Sequence, residues 1–461
     1  MKFIHPLLRP VLGAMLAGLA IFWVSAVPAP SAHAQGGPSL IRDTEIERVV
    51  RTYLDPLLQA ANLSPGAVKL FIVNDSSINA FVAEGQNMFI HTGLIMALDT
   101  PNELNGVLAH ETGHLADGHL VRNMQGVRAA SIPLILSMVI GVAAMAAGAG
   151  DAGAAILMGG QQIAQRSYLA FTRTQESAAD QAAIRYLAST KQSGLGMLKV
   201  FKRFESQEIL SDRRRDPFAQ SHPVPVDRIF ALQTLVEASP YLDVKDSPES
   251  QYAYDMLRAK LRGYIERSEV TLRRYPLSDT SKPARYARAM AYFRHPDMQK
   301  ALAEMEGLLK DEPENPYFLE MYGQINVEMG KVEEGIAPYT QAVKILPDAP
   351  LLRVALGAAM LGTENPRYTE QAVKELQASL DLEGDNAFAW YELAQAYARL
   401  GQTARAELAT AERYFALYSF PQAIQFAGRA QRQLPQGSTD WQRASDIIAI
   451  AMTQQADQKG R

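Results

Sequence analysis

Cysteine is absent from the 461 residues. That removes disulfides, iron–sulfur clusters, thiolate zinc sites and thiol nucleophiles in one step. Histidine is scarce, with eight in the chain, so any bound ion must be held by a few imidazoles and by carboxylates. Charge of one sign is not in excess: 45 Lys and Arg stand against 49 Asp and Glu, for a formal net charge of −4. A nucleic-acid binder ordinarily carries a basic excess, and a disordered acidic chain carries a larger negative one. Neither class fits. What is plentiful is apolar side chain, 48% of residues, over a length that suits two or three domains, each with its own core.

The first stretch reads as an address. Lys2 and Arg9 precede an apolar run over 11–27, then Pro28, Pro30 and the small-x-small triplet Ala32-His33-Ala34. This is the pattern of an export signal cleaved near Ala34; the plainer reading is a retained anchor helix. Both imply export, and the expected compartment is the periplasm. The histidines beyond it are His91, His110, His114, His119, His222 and His295.

Further along, apolar spacing predicts a helix over 40–62, strands over 68–73 and 88–90, and a third strand within 76–82. A helix is expected from Pro101-Asn102-Glu103 to about Met124, with Asn102 as a plausible cap. Residues 131–150 contain no charge. That length can span a bilayer, but Gly, Ala and Pro133 favour a buried or surface-lying helical hairpin over a true span, with peripheral membrane contact through 131–160. Helices are expected at 162–190, 193–206, 225–238 and 249–275.

The second half repeats. Ala289, Tyr292, Ala301, Met305, Leu308 and Pro313 recur in register as Gly323, Asn326, Gly335, Tyr339, Ala342 and Pro347. The period is 34 residues, as in tetratricopeptide units, with small residues where paired helices cross. A third unit has Gly357, Ala372 and Leu376, and a last one Ala411, Ala423, Ala427 and Pro435. The expected division is a signal over 1–34, a catalytic domain over 35–245, connecting helices over 246–281, repeats over 282–437 and a terminal helix and tail over 438–461.

The sharpest motif is His110-Glu111-Thr112-Gly113-His114. On a helix, histidines four apart share a face and reach one ion, while Glu111 is offset to act as a base on water. A catalytic zinc needs a third protein ligand. The best candidate is Glu176 in Glu176-Ser177-Ala178-Ala179-Asp180. Asp180 sits one turn on and can hold a ligating imidazole in the right tautomer. His119, His91 and His295 have no place in that set, and the Asp212–Asp216 charge cluster reads as a solvated loop.

HExxH followed by an ESAAD-type helix resembles the HtpX/Ste24-type zinc metallopeptidases, a gluzincin group. The segments Ile78-Asn79-Ala80-Phe81 and Phe89-Ile90-His91-Thr92-Gly93-Leu94 match that family ahead of its metal helix. The resemblance implies a mostly α fold: a gluzincin-type domain of helices plus a small β-sheet, then an α-solenoid of tetratricopeptide-like repeats. It implies one Zn2+ on His110, His114 and Glu176, Glu111 as base, and Asn79-Ala80-Phe81 as the edge that pairs with an extended substrate. It also implies outer-membrane proteins as substrates and the beta-barrel assembly machinery as partner.

Ser221-His222-Pro223, with Arg228 beyond it, matches a further family element. His222 is read as a donor near a developing oxyanion, as an occupant of the open zinc position, or as a turn residue before proline. Arg228 is expected to pair with Asp180 or with a transition-state oxygen. Two functions stay open: a periplasmic zinc endopeptidase, or a chaperone-like assembly factor with a latent protease centre.

Overall fold

The computed structural model describes residues 39–83, 85–118, 137–138, 150–210, 222, 226–295, 297–363 and 365–459. The export signal, His119, most of 131–149 and the 212–216 charge cluster lie outside the described residues. No helix among the described residues is long and apolar enough to cross a membrane.

The chain opens with strand β1 (Leu40–Ile41) and helix α1 (Thr44–Ala60). The Asp43 carboxylate accepts from Ile46 N and caps α1, which answers one of its free amides. Strands β2 (Lys69–Val73), β3 (Ala80–Ala83) and β4 (Asn87–His91) follow, joined in the order β1-β2-β4-β3. β2 and β4 are parallel; the two outer pairings are antiparallel. Among the described residues β3 is therefore an edge strand. Asn79 lies just before it, not in it, so the expected 76–82 strand is shorter and later. Phe71, Phe89 and Phe81 stack across three strands, with centroids 4.9 and 5.0 Å apart.

Helices α2 (Thr92–Ala97), α3 (Pro101–Ala116), α4 (Gly150–Ser189), α5 (Leu195–Leu210) and α6 (Val226–Glu237) complete this half. α3 is capped by Thr100, whose hydroxyl accepts from Glu103 N, and not by Asn102. The Asn102 side chain instead ties the start of α5: it donates to Ser193 O and accepts from Gly196 N, both at 2.8 Å. The expected break before 162 is absent, and α4 runs unbroken for 40 residues. One core joins α1, the sheet, α3, α4 and α5 through Leu54, Leu57, Ile90, Leu108, Ala183 and Phe201.

The expected 249–275 helix is two, α7 (Pro248–Ile265) and α8 (Ser268–Arg274). α7 belongs to both halves. Tyr254, Leu257 and Leu261 enter the first core, and the Tyr254 hydroxyl donates to Ile95 O at 2.9 Å. Met256 enters a second core with Tyr286, Met290 and Phe318. The array then runs as helices α9 (Lys282–Arg294), α10 (Met298–Asp311), α11 (Pro316–Glu328), α12 (Val332–Ile345), α13 (Pro350–Leu361), α14 (Pro366–Leu382), α15 (Ala387–Arg399), α16 (Thr403–Ala416), α17 (Phe420–Gln433) and α18 (Thr439–Lys459). Ala289, Ala301, Met305, Tyr339, Ala342, Ala372, Leu376, Ala411, Ala423 and Ala427 are all buried, as the repeat register requires. The small residues sit where helices cross: a Cβ on Gly335 would lie 2.8 Å from Gly323 O.

A polar hub joins α1, α7 and the array. Lys260 Nζ lies 2.7 Å from Asp43 Oδ2 and 3.2 Å from Glu45 Oε2, and the Tyr286 hydroxyl donates to Glu45 at 2.8 Å. Around it, Arg42, Arg48 and Lys69 face Glu383, Asp348 and Asp385 at 2.7, 3.0 and 3.4 Å.

Candidate metal centre

α3 is buried almost all round, from Glu103 to His114. Two glycines let its neighbours approach. A Cβ on Gly106 would lie 2.6 Å from Met197 Cα in α5, and one on Gly113 would lie 3.0 Å from Ala179 Cα in α4. The Ser177-Ala178-Ala179 stretch thus brings Glu176 and Asp180 onto the histidine face of α3.

Four donor atoms converge there, from His110, His114, Glu176 and His222, all buried and all within 4.8 Å of one another. His110 Nε2 lies 3.1 Å from His114 Nε2 and 3.3 Å from Glu176 Oε2. His114 Nε2 lies 3.4 Å from Glu176 Oε1. His222 Nδ1 lies 3.3 Å from His110 Nε2 and 3.1 Å from each Glu176 oxygen. A tetrahedral ion with ligands at 2.0–2.1 Å separates its ligand atoms by about 3.3 Å. These spacings fit such an ion. They do not suit a hydrogen-bond network, because one imidazole nitrogen cannot serve three partners.

The partners of the donors are also present. Asp180 Oδ1 lies 3.0 Å from His110 Nδ1, which leaves Nε2 to face the centre. Arg228 donates through Nε to Asp180 Oδ2 at 2.5 Å and through Nη2 to Oδ1 at 2.8 Å, and its Nη1 reaches Glu176 Oε2 at 2.9 Å. The expected Arg228–Asp180 pairing is therefore a two-pronged one. Phe201 was not foreseen. Its ring meets the His110 ring edge-on, centroids 5.8 Å apart, and lies 4.8 Å from the Arg228 guanidinium carbon. Nothing distinguishes Phe201 in the sequence from any other apolar residue of an amphipathic helix.

Charge is strongly organised here. Burial lowers the His110 imidazole's proton affinity, yet the neighbouring Asp180 and Glu176 carboxylates outweigh it and lift the pKa to about 9. Burial raises Glu176 and Asp180, but His110 and His222 pull the first down, and Arg228 and His110 the second. Glu111 moves the other way: burial raises its pKa. Both Glu111 oxygens are buried without a hydrogen-bond donor, and His222 Nε2 lies 3.5 Å from Oε1. A carboxylate kept unsatisfied beside a donor set is positioned to take a proton.

His91 stands apart. Its Nδ1 lies 2.8 Å from Ser77 Oγ, and its ring meets Phe81 edge-on, so it supports the entry to β3. His295 closes α9.

The model of Peptidase family M48 matches residues 41–236. The chain is 25% identical over 411 residues to the Beta-barrel assembly-enhancing protease of Escherichia coli (strain K12), covering 88% of this chain and 82% of that protein. It is 26% identical over 410 residues to the protein of the same name from Yersinia pestis, covering 87% and 82%. Among solved structures, "YrrB: a TPR protein with an unusual peptide-binding site" aligns with 37% of this chain and 89% of its own, at 17% identity and a TM-score of 0.32. The residues of the donor set, His110, His114, Glu176 and His222, lie within the span that the Peptidase family M48 model matches.

Proposed function

We propose that the chain is a zinc-dependent endopeptidase of the periplasm that cleaves misassembled outer-membrane proteins, with its repeats docking substrate or the beta-barrel assembly machinery. The observation that carries the reading is the convergence of four buried donors beside an unsatisfied Glu111. His110, His114 and Glu176 would hold the ion. When bound, it supplies Lewis-acid polarisation of the scissile carbonyl and acidifies water.

The chain's own residues do the rest. Glu111 takes the proton of the attacking water and passes it to the leaving amine. Its raised pKa suits both acts, since a base that is too acidic returns no proton. Asp180 fixes the His110 tautomer, and Arg228 holds Asp180 and Glu176 in place. Asn79, Ala80 and Phe81 lead into and form the edge strand, whose free backbone groups pair with an extended peptide of almost any sequence. The division is an export signal over 1–34, the catalytic domain over 35–245, connecting helices to 281, the repeats over 282–437 and the tail.

His222 has two roles to choose between. A donor for an oxyanion stands outside the ligand set, whereas His222 Nδ1 stands within it, at 3.3 Å from His110 Nε2. That favours a latch, in which His222 takes the position water needs. The test is His222→Ala in a peptidase assay with a zinc-loaded protein. Higher activity supports the latch, and a large loss supports catalysis. The same latch favours a second reading, an assembly factor whose protease centre is mostly closed. Glu111→Gln separates the two: full outer-membrane assembly with this variant would mean that proteolysis is not the main function.

A further inference from the structure

The repeats carry a groove of about 370 Å³ between α15, α16 and α17, lined among others by Tyr391, Gln395, Glu407, Thr410, Arg413 and Phe426. Its polar groups are not balanced by the protein. The Arg413 guanidinium lies 4.7 Å from the Tyr391 ring centre and 5.6 Å from that of Tyr414. Aromatic faces hold it, yet no carboxylate among the described residues pairs with it. Glu407 is the reverse case. Its Oε1 reaches Arg429 at 4.0 Å, but its Oε2 is buried and accepts from no donor. Arg429 is itself spread over Phe426 at 5.0 Å, so the cation that reaches Glu407 Oε1 is shared with a ring.

The groove continues into an apolar strip. Phe388 is 54% exposed and Tyr391 39%, with ring centres 6.4 Å apart. Ala394, Ala398 and Ala406 line the groove, which leaves room for a backbone to come close. An unanswered guanidinium, an unanswered buried carboxylate oxygen and an exposed aromatic strip call for a ligand with an anion, an N–H and a large apolar side chain. An extended peptide supplies all three.

We propose that this groove binds an extended segment of a client protein in which an Asp or Glu neighbours an aromatic residue. The acidic side chain pairs with Arg413, a backbone N–H answers Glu407 Oε2, and the aromatic ring lies on Phe388 and Tyr391. This rests on the reading of the repeats as a docking module and names what they select.

The test uses the full chain carrying Glu111→Gln, so that probes are not cut. The probe is a fluorescein-labelled octapeptide, Gly-Ser-Gly-Phe-Asp-Phe-Gly-Ser, read by fluorescence anisotropy. The expected result is saturable binding that weakens at least tenfold when the probe's Asp becomes Asn, or both Phe become Ala. Arg413→Gln and Tyr391→Ala should each cost a similar factor, with Arg413→Lys recovering part of it. Equal affinity for the Asp and Asn probes, or for Arg413→Gln and its parent, overturns the proposal. So does self-association that Tyr391→Ala abolishes, since a second copy would then be the occupant. Cleavage of an unstructured substrate by the parent chain with Glu111 intact is a separate readout. If it is present while the probe fails to bind the Glu111→Gln chain with its groove intact, only the groove proposal is lost. If it is absent in the parent while probe binding holds, only the peptidase reading is lost.

Discussion

Asp180→Asn offers the sharpest test of how the metal centre is built. The replacement keeps the shape and removes one acceptor. Asp180 Oδ1 now serves both His110 Nδ1 at 3.0 Å and Arg228 Nη2 at 2.8 Å, while Oδ2 serves Arg228 Nε. If the new NH2 takes the Oδ1 place, it confronts two donors. His110 must then move its proton to Nε2, which removes the lone pair that faces the centre. If the NH2 takes the Oδ2 place, Arg228 loses its Nε bond and leans further on Glu176, already 2.9 Å away, and competes with the ion for that carboxylate. Either outcome weakens the same property. Loss of such a supporting group costs roughly 10–100-fold in metal affinity, or about 1.4–2.7 kcal/mol. Zinc affinity measured by competition against a chromophoric chelator reads it directly, with peptidase activity titrated against added zinc as a second readout. Affinity within threefold of the parent would refute the reasoning, because Asp180 would then only be packing against Arg228.

Three further outcomes follow from the packing and the hub. Gly106→Ala places a methyl 2.6 Å from the Met197 backbone; α3 and α5 must part, and urea denaturation should show a loss near the top of the usual overpacking range of about 1–3 kcal/mol. Lys260→Met leaves Asp43 and buried Glu45 without their cation, which should cost about 3–5 kcal/mol, and added Glu45→Gln should recover part of it. Glu320, partly buried in α11, has its pKa raised to about 8, chiefly by burial, with Asp43 and Glu45 adding and Lys260 opposing. Between the ordinary carboxyl range and about 8 the unfolded chain sheds a proton that the folded chain keeps, so this contribution to stability is full at low pH and lost as pH rises through that window. Denaturation at pH 5, 6.5 and 8 should therefore show the parent losing stability relative to Glu320→Gln, and parallel curves would sink the assignment.

Much of the centre was legible because its chemistry is local. His110 and His114 are four apart, as are Glu176 and Asp180, and helical periodicity alone puts each pair on one face. The repeat register was legible for the same reason, since Gly335 and Gly323 mark crossings that recur with the 34-residue period. Other features depend on residues far apart in the chain. Arg48 meets Asp348, and Tyr286 meets Glu45, with no pattern linking either pair in sequence. The run of α4 through 150–162 was missed because Gly- and Ala-rich sequence has weak periodicity, so length and composition did not reveal continuity. Asn102 has a capping side chain, but Thr100 took the cap and freed Asn102 to bind across to α5. His222 was visible as a residue of interest. Whether its ring enters the donor set is a question of tertiary geometry that adjacency to Pro223 does not answer.

The glycine contacts of α3 have a mechanical consequence. Where helices touch backbone to backbone, as at Gly106 against Met197 and Gly196 against Asn102, no side chain lies between them to act as a compliant layer. The frame that carries His110, His114, Glu176 and Asp180 is thus stiff, and a force applied to it moves all four together. His222 enters from a different part of the chain, just ahead of α6. In the proposed latch, displacement of this one donor would change the coordination number of a bound ion while the other three keep their spacing. In the proposed reading the three ligands on α3 and α4 form a rigid tripod, His222 is a fourth donor from a separate element, and the work needed to open the centre would be set by how His222 is held.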